Sequence, residues 1–143
     1  MAKIHKVVDI HAPVEKVFNF MIHPENLPEI WPSMVEVSHV QSQPDGRHSF
    51  DWVYKMAGIK FTGHGESNDL KTNQHVTTVN QSGIPSRFEW EYKKANGGTE
   101  LVLDVEYTVP LPVVNKLAET IVVKLNEHEA EVMLANLKSR MEE

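Results

Sequence analysis

Two segments of the chain carry an aromatic residue at every second position for three positions in a row. These residues are Phe50, Trp52 and Tyr54 in the first segment, and Phe88, Trp90 and Tyr92 in the second. Since side chains alternate between the two faces of a strand, each segment predicts a strand with one aromatic face. Six large rings should therefore lie on one side of a sheet, around either a packed core or a cavity.

The rest of the chain up to residue 109 also reads as strands, with one helical interval. Residues 3–10 predict a first strand, residues 13–21 a short amphipathic helix, and residues 25–30 a second helical turn. Six further strands are predicted at 34–42, 47–56, 59–70, 74–82, 86–94 and 99–109. Turn residues such as Asn96-Gly97-Gly98 separate them, which favours an antiparallel meander. The sequence thus predicts roughly seven antiparallel strands.

One long helix is predicted from residue 113 to about residue 141, because this stretch contains neither Gly nor Pro. At 100° per residue, one apolar row falls within an arc of about 80°. The row consists of Val114, Leu117, Ile121, Leu125, His128, Val132 and Ala135. We expect this row to lie on the sheet, with His128 in its middle.

Composition narrows the class of protein. A chain of 143 residues suits a single domain over residues 1–143. The net charge of -6 argues against binding to nucleic acid or anionic lipid, because both need clustered cations. Neither a cysteine nor an apolar run long enough for a signal peptide or a membrane span occurs. A soluble, cytoplasmic protein is the expectation.

The candidate ligand-binding residues are the aromatic ones together with the helix histidine. They are Trp31, Phe50, Trp52, Tyr54, Phe61, Phe88, Trp90, Tyr92, Tyr107 and His128. A packed core is the alternative interpretation of the rings. Trp and Tyr, however, need partners for their polar hydrogens when buried, which favours a pocket with a few polar groups. His128, with Tyr54 or Tyr92, is the candidate for acid–base catalysis, although a lone helix histidine is more often structural.

Metal and nucleotide sites are not predicted. The eight histidines show no ligand spacing, so neither a metal nor a cofactor is expected. The glycines around His64, in the segment Gly63-His64-Gly65, suggest a bent strand or a close backbone approach, since no helix start follows to bind phosphate. The usual hydrolase and nucleotide-binding motifs do not occur.

Several motifs together resemble the START-like (SRPBCC) superfamily, which includes polyketide cyclases/dehydrases, coenzyme Q-binding proteins and birch-pollen-allergen-like proteins. The resemblance rests on residues 8–18 (VDIHAPVEKVF), residues 23–32 (HPENLPEIWP), residues 97–100 (GGTE) before a strand ending in Tyr107, and the long last helix. It covers almost the whole chain. It implies an α+β helix-grip fold, in which a curved antiparallel sheet holds the C-terminal helix over its concave face.

The resemblance does not select one function, because superfamily members share the fold and differ in the residues that line its cavity. The first hypothesis is binding of a hydrophobic small molecule, such as a lipid, an isoprenoid or quinone, or an aromatic polyketide. The second is a cyclase or dehydratase that uses cavity His and Tyr residues. The third is a protein-interaction module. Both a monomer and a homodimer, formed through an exposed strand edge, remain open.

Overall fold

The computed structural model describes residues 1–110 and 116–143, and its main element is a curved sheet of seven antiparallel strands. The strands are β1 (Ala2–Ile10), β2 (Met34–Ser42), β3 (His48–Met56), β4 (Ile59–Lys71), β5 (His75–Asn80), β6 (Ser86–Ala95) and β7 (Gly98–Tyr107). Their bounds differ from the predicted ones by no more than two residues at most ends. The predicted α+β helix-grip architecture is confirmed.

The strand order across the sheet is β1-β7-β6-β5-β4-β3-β2. Strands β2 to β7 form the predicted meander, whereas β1 pairs with β7 from Ala2–Tyr107 to Ile10–Thr99. This pairing of the first strand with the last follows from the helical segment between β1 and β2. That segment carries the chain from one edge of the sheet to the other, so the meander returns to β1.

Among the described residues, three α-helices and one 3₁₀ turn pack on the concave side. They are α1 (Val14–Met21), the 3₁₀ turn Pro24–Asn26, α2 (Leu27–Ile30) and α3 (Lys116–Met141). Helix α1 buries the apolar face that its sequence spacing predicts. Residues 113–115 of the predicted long helix lie outside the described residues. Within the described ranges, no helix is both long and apolar enough to cross a lipid bilayer.

The predicted orientation of α3 is wrong. Its buried residues are Ala130, Met133, Leu134, Leu137 and Met141. The predicted row is instead on the outside: Leu117, Ile121 and Leu125 are 72%, 53% and 55% exposed. At 100° per residue the two rows lie on roughly opposite sides of the helix. Helix α3 thus carries two apolar rows, and the row containing His128 faces away from the sheet. Val114, the first residue of the predicted row, lies outside the described residues.

Polar contacts to α2 and its flanking residues explain why the other row faces inward. The Glu129 carboxylate accepts a hydrogen bond from the Ser33 backbone N–H at 2.7 Å. The Asn136 side-chain amide donates to the Ile30 carbonyl at 2.9 Å. Both side chains flank the buried row, so they fix the rotation of the helix about its own axis.

Candidate functional site

A cavity of about 120 Å³ lies between the concave face of the sheet, the segment from α1 to α2, and α3. Eight of the ten residues predicted to bind a ligand line it. They are Trp31, Phe50, Trp52, Tyr54, Phe88, Trp90, Tyr92 and Tyr107. The aromatic strands β3 and β6 therefore do place their rings on the side that the long helix covers. Packing leaves a space between the rings and the helix.

Two of the predicted residues do not line the cavity. Phe61 pairs with Tyr54 across β3 and β4 and is partly buried, but it is outside the cavity wall. The predicted position of His128 is wrong: its side chain is 74% exposed, and its Nδ1 lies 4.0 Å from a Glu131 carboxylate oxygen on the outer surface. His128 faces outward because α3 buries its opposite row. It is therefore not placed to exchange protons with a molecule in the cavity.

Sequence reasoning missed the non-aromatic part of the wall. Strand β5 contributes Val76, Thr78 and Asn80, and helix α3 contributes Asn126 and Met133. The β5 residues are two positions apart, like the aromatic residues of β3 and β6, so this spacing could have predicted that they face the cavity. The α3 residues are seven positions apart, so they lie on the same face of the helix. This spacing identifies them as wall residues only when the helix face that packs on the sheet is known.

None of the described residues that line the cavity is Asp, Glu, Lys, Arg or His. The polar groups of the wall are hydroxyls, side-chain amides and indole N–H groups. An ion in such a place loses its hydration without gaining a counterion, which disfavours charge strongly. The cavity is thus suited to an uncharged, largely apolar occupant.

One part of the wall is a closed hydrogen-bond network. The Trp52 indole N–H donates to Asn80 Oδ1 at 2.9 Å, and Asn80 Nδ2 donates to Ser86 Oγ at 3.0 Å. Ser86 Oγ in turn donates to the Ile84 carbonyl at 2.9 Å. These polar groups already satisfy one another, so they make the wall rigid.

The Trp52 ring lies directly on β4, which explains a glycine in that strand. A Cβ atom added at Gly63 would stand 2.2 Å from Trp52 Cζ2, a distance that no side chain tolerates. A Cβ at Gly65 would stand 3.0 Å from Phe50 Cζ. The prediction of a close backbone approach at these glycines is confirmed.

Two of the three cavity tyrosines, Tyr54 and Tyr107, have polar groups near their hydroxyls. The Tyr107 hydroxyl accepts a hydrogen bond from Asn126 Nδ2 at 2.9 Å. Burial raises the pKa of Tyr54 to about 12, and the nearby Trp31 and Ser33 partly oppose this rise. The Trp31 and Tyr54 rings pack edge to face with 5.5 Å between their centroids, and the Trp31 N–H is buried without a hydrogen-bond partner among the described residues.

The third tyrosine, Tyr92, is 5% exposed, and its ring packs edge-on against Phe18 with 5.1 Å between ring centroids. Burial alone raises the pKa of Tyr92 far above its usual value of 10.0. No described residue hydrogen-bonds its hydroxyl.

Histidines lie elsewhere in the molecule. His48 is 8% exposed, and its ring lies tilted against that of His23 with 5.6 Å between centroids, but neither lines the cavity. On the opposite face of the sheet, His39 Nδ1 and His64 Nδ1 lie 2.9 and 2.8 Å from the two Asp51 carboxylate oxygens. The hydrogen bond that His64 donates to the Asp51 carboxylate raises the pKa of His64. Among the described residues, no three acidic or histidine side chains are grouped to hold a metal ion.

The family model described as "Polyketide cyclase / dehydrase and lipid transport" matches residues 1–142. The comparison with curated proteins found no match. The superfamily resemblance predicted from the sequence motifs is confirmed by the family match.

Solved structures share the fold over nearly their whole length. The protein TTHA0849 from Thermus thermophilus superposes with a TM-score of 0.85 at 21% identity, covering 97% of this chain and 96% of that one. A START superfamily protein from Mycobacterium smegmatis gives 0.79 at 19% identity, with 99% and 98% covered. The Zhui aromatase/cyclase from Streptomyces gives 0.75 at 15% identity, with 96% and 94% covered. At such identities the likeness establishes the fold alone.

Proposed function

The chain belongs to the polyketide cyclase/dehydrase and lipid transport family, and we propose that it binds a small hydrophobic molecule in its cavity without transforming it. The observation that carries this proposal is the cavity of about 120 Å³, whose described wall is mostly aromatic and aliphatic and contains no charged side chain. Burial of apolar surface, at about 25 cal/mol per Å², supplies the affinity.

The volume of the cavity limits how much of a ligand can be enclosed. Its 120 Å³ is close to an engineered protein cavity of roughly 150 Å³ that binds benzene. A single ring, or an isoprenoid unit of similar size, fits such a space. A larger ligand would have to move the wall or extend out of it.

A cyclase or dehydratase function has less support. Such an enzyme needs a group that accepts a proton near neutral pH. Tyr54, with a pKa of about 12, and Tyr92, whose pKa is higher still, keep their protons under those conditions. The predicted third member, His128, points to solvent. The two tyrosines can orient a bound molecule, but they are poor bases.

The alternative of a protein-interaction module predicted a filled core with an exposed apolar patch. Helix α3 does expose an apolar row at Leu117, Ile121 and Leu125. The open cavity, however, would serve no purpose in such a module. Ligand binding accounts for the cavity, so we favour it.

The test compares two substitutions on the same helix. Ala130 is buried and lines the cavity, whereas Ala135 is exposed on the outer row. We expect toluene to raise the melting temperature of the wild type and of Ala135→Leu, but not of Ala130→Leu, whose larger side chain fills the cavity. Circular dichroism checks that both variants fold. If toluene and longer hydrocarbons leave the wild type unchanged, the proposal is wrong.

A further inference from the structure

We propose that His39 and His64 form a proton-dependent clamp on Asp51. In mild acid this clamp holds the edge strand β2 on the sheet, and it loosens as the pH rises above neutrality. The three side chains lie on the convex face of the sheet, on the other side from the cavity. The inference therefore goes beyond the proposed function, and the clamp itself needs no ligand.

The clamp joins three neighbouring strands through one carboxylate. Asp51 is on β3, the middle strand of the three, and each of its carboxylate oxygens contacts a histidine of an adjacent strand. Oδ2 lies 2.9 Å from Nδ1 of His39 on β2, and Oδ1 lies 2.8 Å from Nδ1 of His64 on β4. Because β2 is at the edge of the sheet, the contact with His39 adds to the backbone hydrogen bonds that hold this strand.

The backbone of β2 is irregular at the residue that makes this contact. Three of the four described non-glycine residues at positive φ lie in turns between strands, whereas His39, at φ 52°, lies within β2. A left-handed backbone is unfavourable for residues other than glycine, so such a conformation inside a strand indicates a specific role. The register between β2 and β3 shifts after Ser38, which is the residue paired with Asp51. The resulting bulge places His39 beside the same carboxylate.

The surroundings of His64 favour its protonated form. Its Nδ1 donates to Asp51, and its Nε2 lies 3.3 Å from a Glu66 carboxylate oxygen. A neutral imidazole carries one ring proton, so a lone pair would face one of the two carboxylates, whereas the imidazolium donates to both. The hydrogen bond to Asp51 accordingly raises the pKa of His64 above its ordinary value of 6.5, and it lowers the pKa of Asp51 below 3.8.

These directions define the pH range in which the clamp is closed. The raised pKa of His64 gives a contribution that is complete below pH 6.5 and is lost as the pH rises through the raised value. The lowered pKa of Asp51 gives a contribution that is complete above pH 3.8 and is lost as the pH falls through the lowered value. The clamp is therefore fully closed between pH 3.8 and 6.5.

Other charged groups on this face do not replace the histidines. The described helices pack on the concave side, so the neighbouring charges come from the strands and the β2–β3 turn. They are Glu36 on β2, Asp45 and Arg47 in the turn, Lys55 on β3, and Lys60, Glu66 and Asp69 on β4. Arg47 pairs with Asp45 at 2.6 Å, and Asp69 lies 3.1 Å from His75. Among the described residues, the two histidines are the cations that contact Asp51.

The clamp lies directly behind the cavity wall. Asp51 is flanked in sequence by Phe50 and Trp52, which line the cavity, and β2 packs against α2 and the 3₁₀ turn. Loosening β2 should therefore also loosen α2, so access to the cavity becomes dependent on pH. This consequence rests on the proposed function, whereas the clamp does not.

Titration of the histidine ring signals in nuclear magnetic resonance spectra tests the proton dependence. The chain contains eight histidines, and the signal that is lost in His64→Gln identifies His64. We expect His64 to titrate above pH 6.5 in wild type and closer to 6.5 in Asp51→Asn, whose amide carries no charge. The same titration midpoint in both proteins overturns the proposal.

Hydrogen exchange of backbone amides, corrected for the intrinsic effect of pH on exchange, tests whether the clamp holds the edge strand. We expect β2 (Met34–Ser42) of wild type to be protected roughly two- to fivefold more in mild acid than in mild base. Asp51→Asn should lose this difference. His39→Asn should lose it as well, because asparagine also tolerates a left-handed backbone but lacks the imidazole.

Asp104→Asn is the matched control, because Asp104 contacts His5 at 2.5 Å at the opposite edge of the sheet, across β1 and β7. We expect it to leave the pH dependence of β2 unchanged. Persistence of that dependence in Asp51→Asn, or its equal loss in Asp104→Asn, overturns the proposal. If the exchange of α2 does not follow that of β2, the consequence for the cavity is wrong and the clamp stands. Toluene binding enters none of these outcomes, so the clamp and the proposed function can fail separately.

Discussion

The two halves of helix α3 have similar apolar content but very different surroundings. From Ala130 to Met141 the helix buries five side chains against β1, α2 and the cavity. From Lys116 to Glu129 none of its described side chains is buried, and Leu117, Ile121 and Leu125 are more than half exposed. The difference shows that burial on this helix depends on where it crosses the sheet, since the apolar pattern is present in both halves.

Charged side chains at and just beyond the C-terminal half of α3 contact the first strand and the residue that follows it. Lys6 of β1 donates to Glu131 at 2.8 Å, and the His11 backbone N–H donates to Glu142 at 2.8 Å. These contacts tie the end of the helix to one edge of the sheet. The first turns contain hydrogen bonds within the helix, such as that from the Thr120 hydroxyl to the Lys116 carbonyl. The C-terminal half should therefore carry most of the stability that α3 contributes.

The largest predicted effect is that of Leu137→Ala in the C-terminal half. Leu137 is fully buried, so its truncation removes apolar contacts and leaves a cavity in the core. We expect a loss of about 2–5 kcal/mol in the free energy of unfolding, measured by urea denaturation. A loss under about 1 kcal/mol would mean that this half of the helix is not firmly packed.

The second effect concerns the polar contact that sets the rotation of the helix. Glu129→Ala leaves the Ser33 N–H without its acceptor, and we expect a loss of about 1–2 kcal/mol in the same denaturation assay. Glu127→Ala, two positions earlier, has no described ion pair and serves as the control, with an expected change of a few tenths of a kcal/mol. Equal effects of the two substitutions would argue against a specific role for Glu129.

The third effect is a pH dependence of the contacts at the C-terminal end of α3. The Lys6 ammonium lowers the pKa of Glu131, and the His11 backbone N–H lowers that of Glu142, both from an ordinary value of 4.5. Since these carboxylates titrate lower in the folded state, their contribution is complete above pH 4.5 and is lost as the pH falls through the lowered values. We expect the melting temperature of Glu131→Gln/Glu142→Gln to lie below that of wild type at neutral pH and to converge with it in acid. Parallel curves would contradict this.

The comparison of the two halves also explains what the sequence could predict. Strand ends were predictable because local residues such as Asn96 and Gly97, both at positive φ, dictate the β6–β7 turn. The aromatic wall was predictable because a strand has two faces and only one of them is aromatic. The inward face of α3 was not, because both rows are apolar and the contact of Glu129 with Ser33 joins residues 96 positions apart.

The sequence favoured a cavity over a packed core but could not establish that one is present. Aromatic residues at every second position give the same sequence pattern whether they surround a packed core or a cavity. The pattern determines which face of the sheet the rings are on, but not how far they lie from the helix. That distance depends on Ala130 and Met133, which face the rings from α3. Small and flexible side chains at these positions keep the helix from filling the cavity.

The smallest predicted effect is that of Ile121→Ser in the N-terminal half. Ile121 is 53% exposed, so the substitution should change the free energy of unfolding by no more than about 0.5 kcal/mol. The Leu137→Ala variant, measured beside it, gives the contrast between the halves. If Ile121→Ser instead destabilises the protein by more than about 1 kcal/mol, the exposed row is covered in solution. Sedimentation of wild type at several concentrations then distinguishes two explanations. If a second copy of the chain covers the row, wild type self-associates and the stability loss depends on protein concentration. If the row packs within one chain, neither is observed.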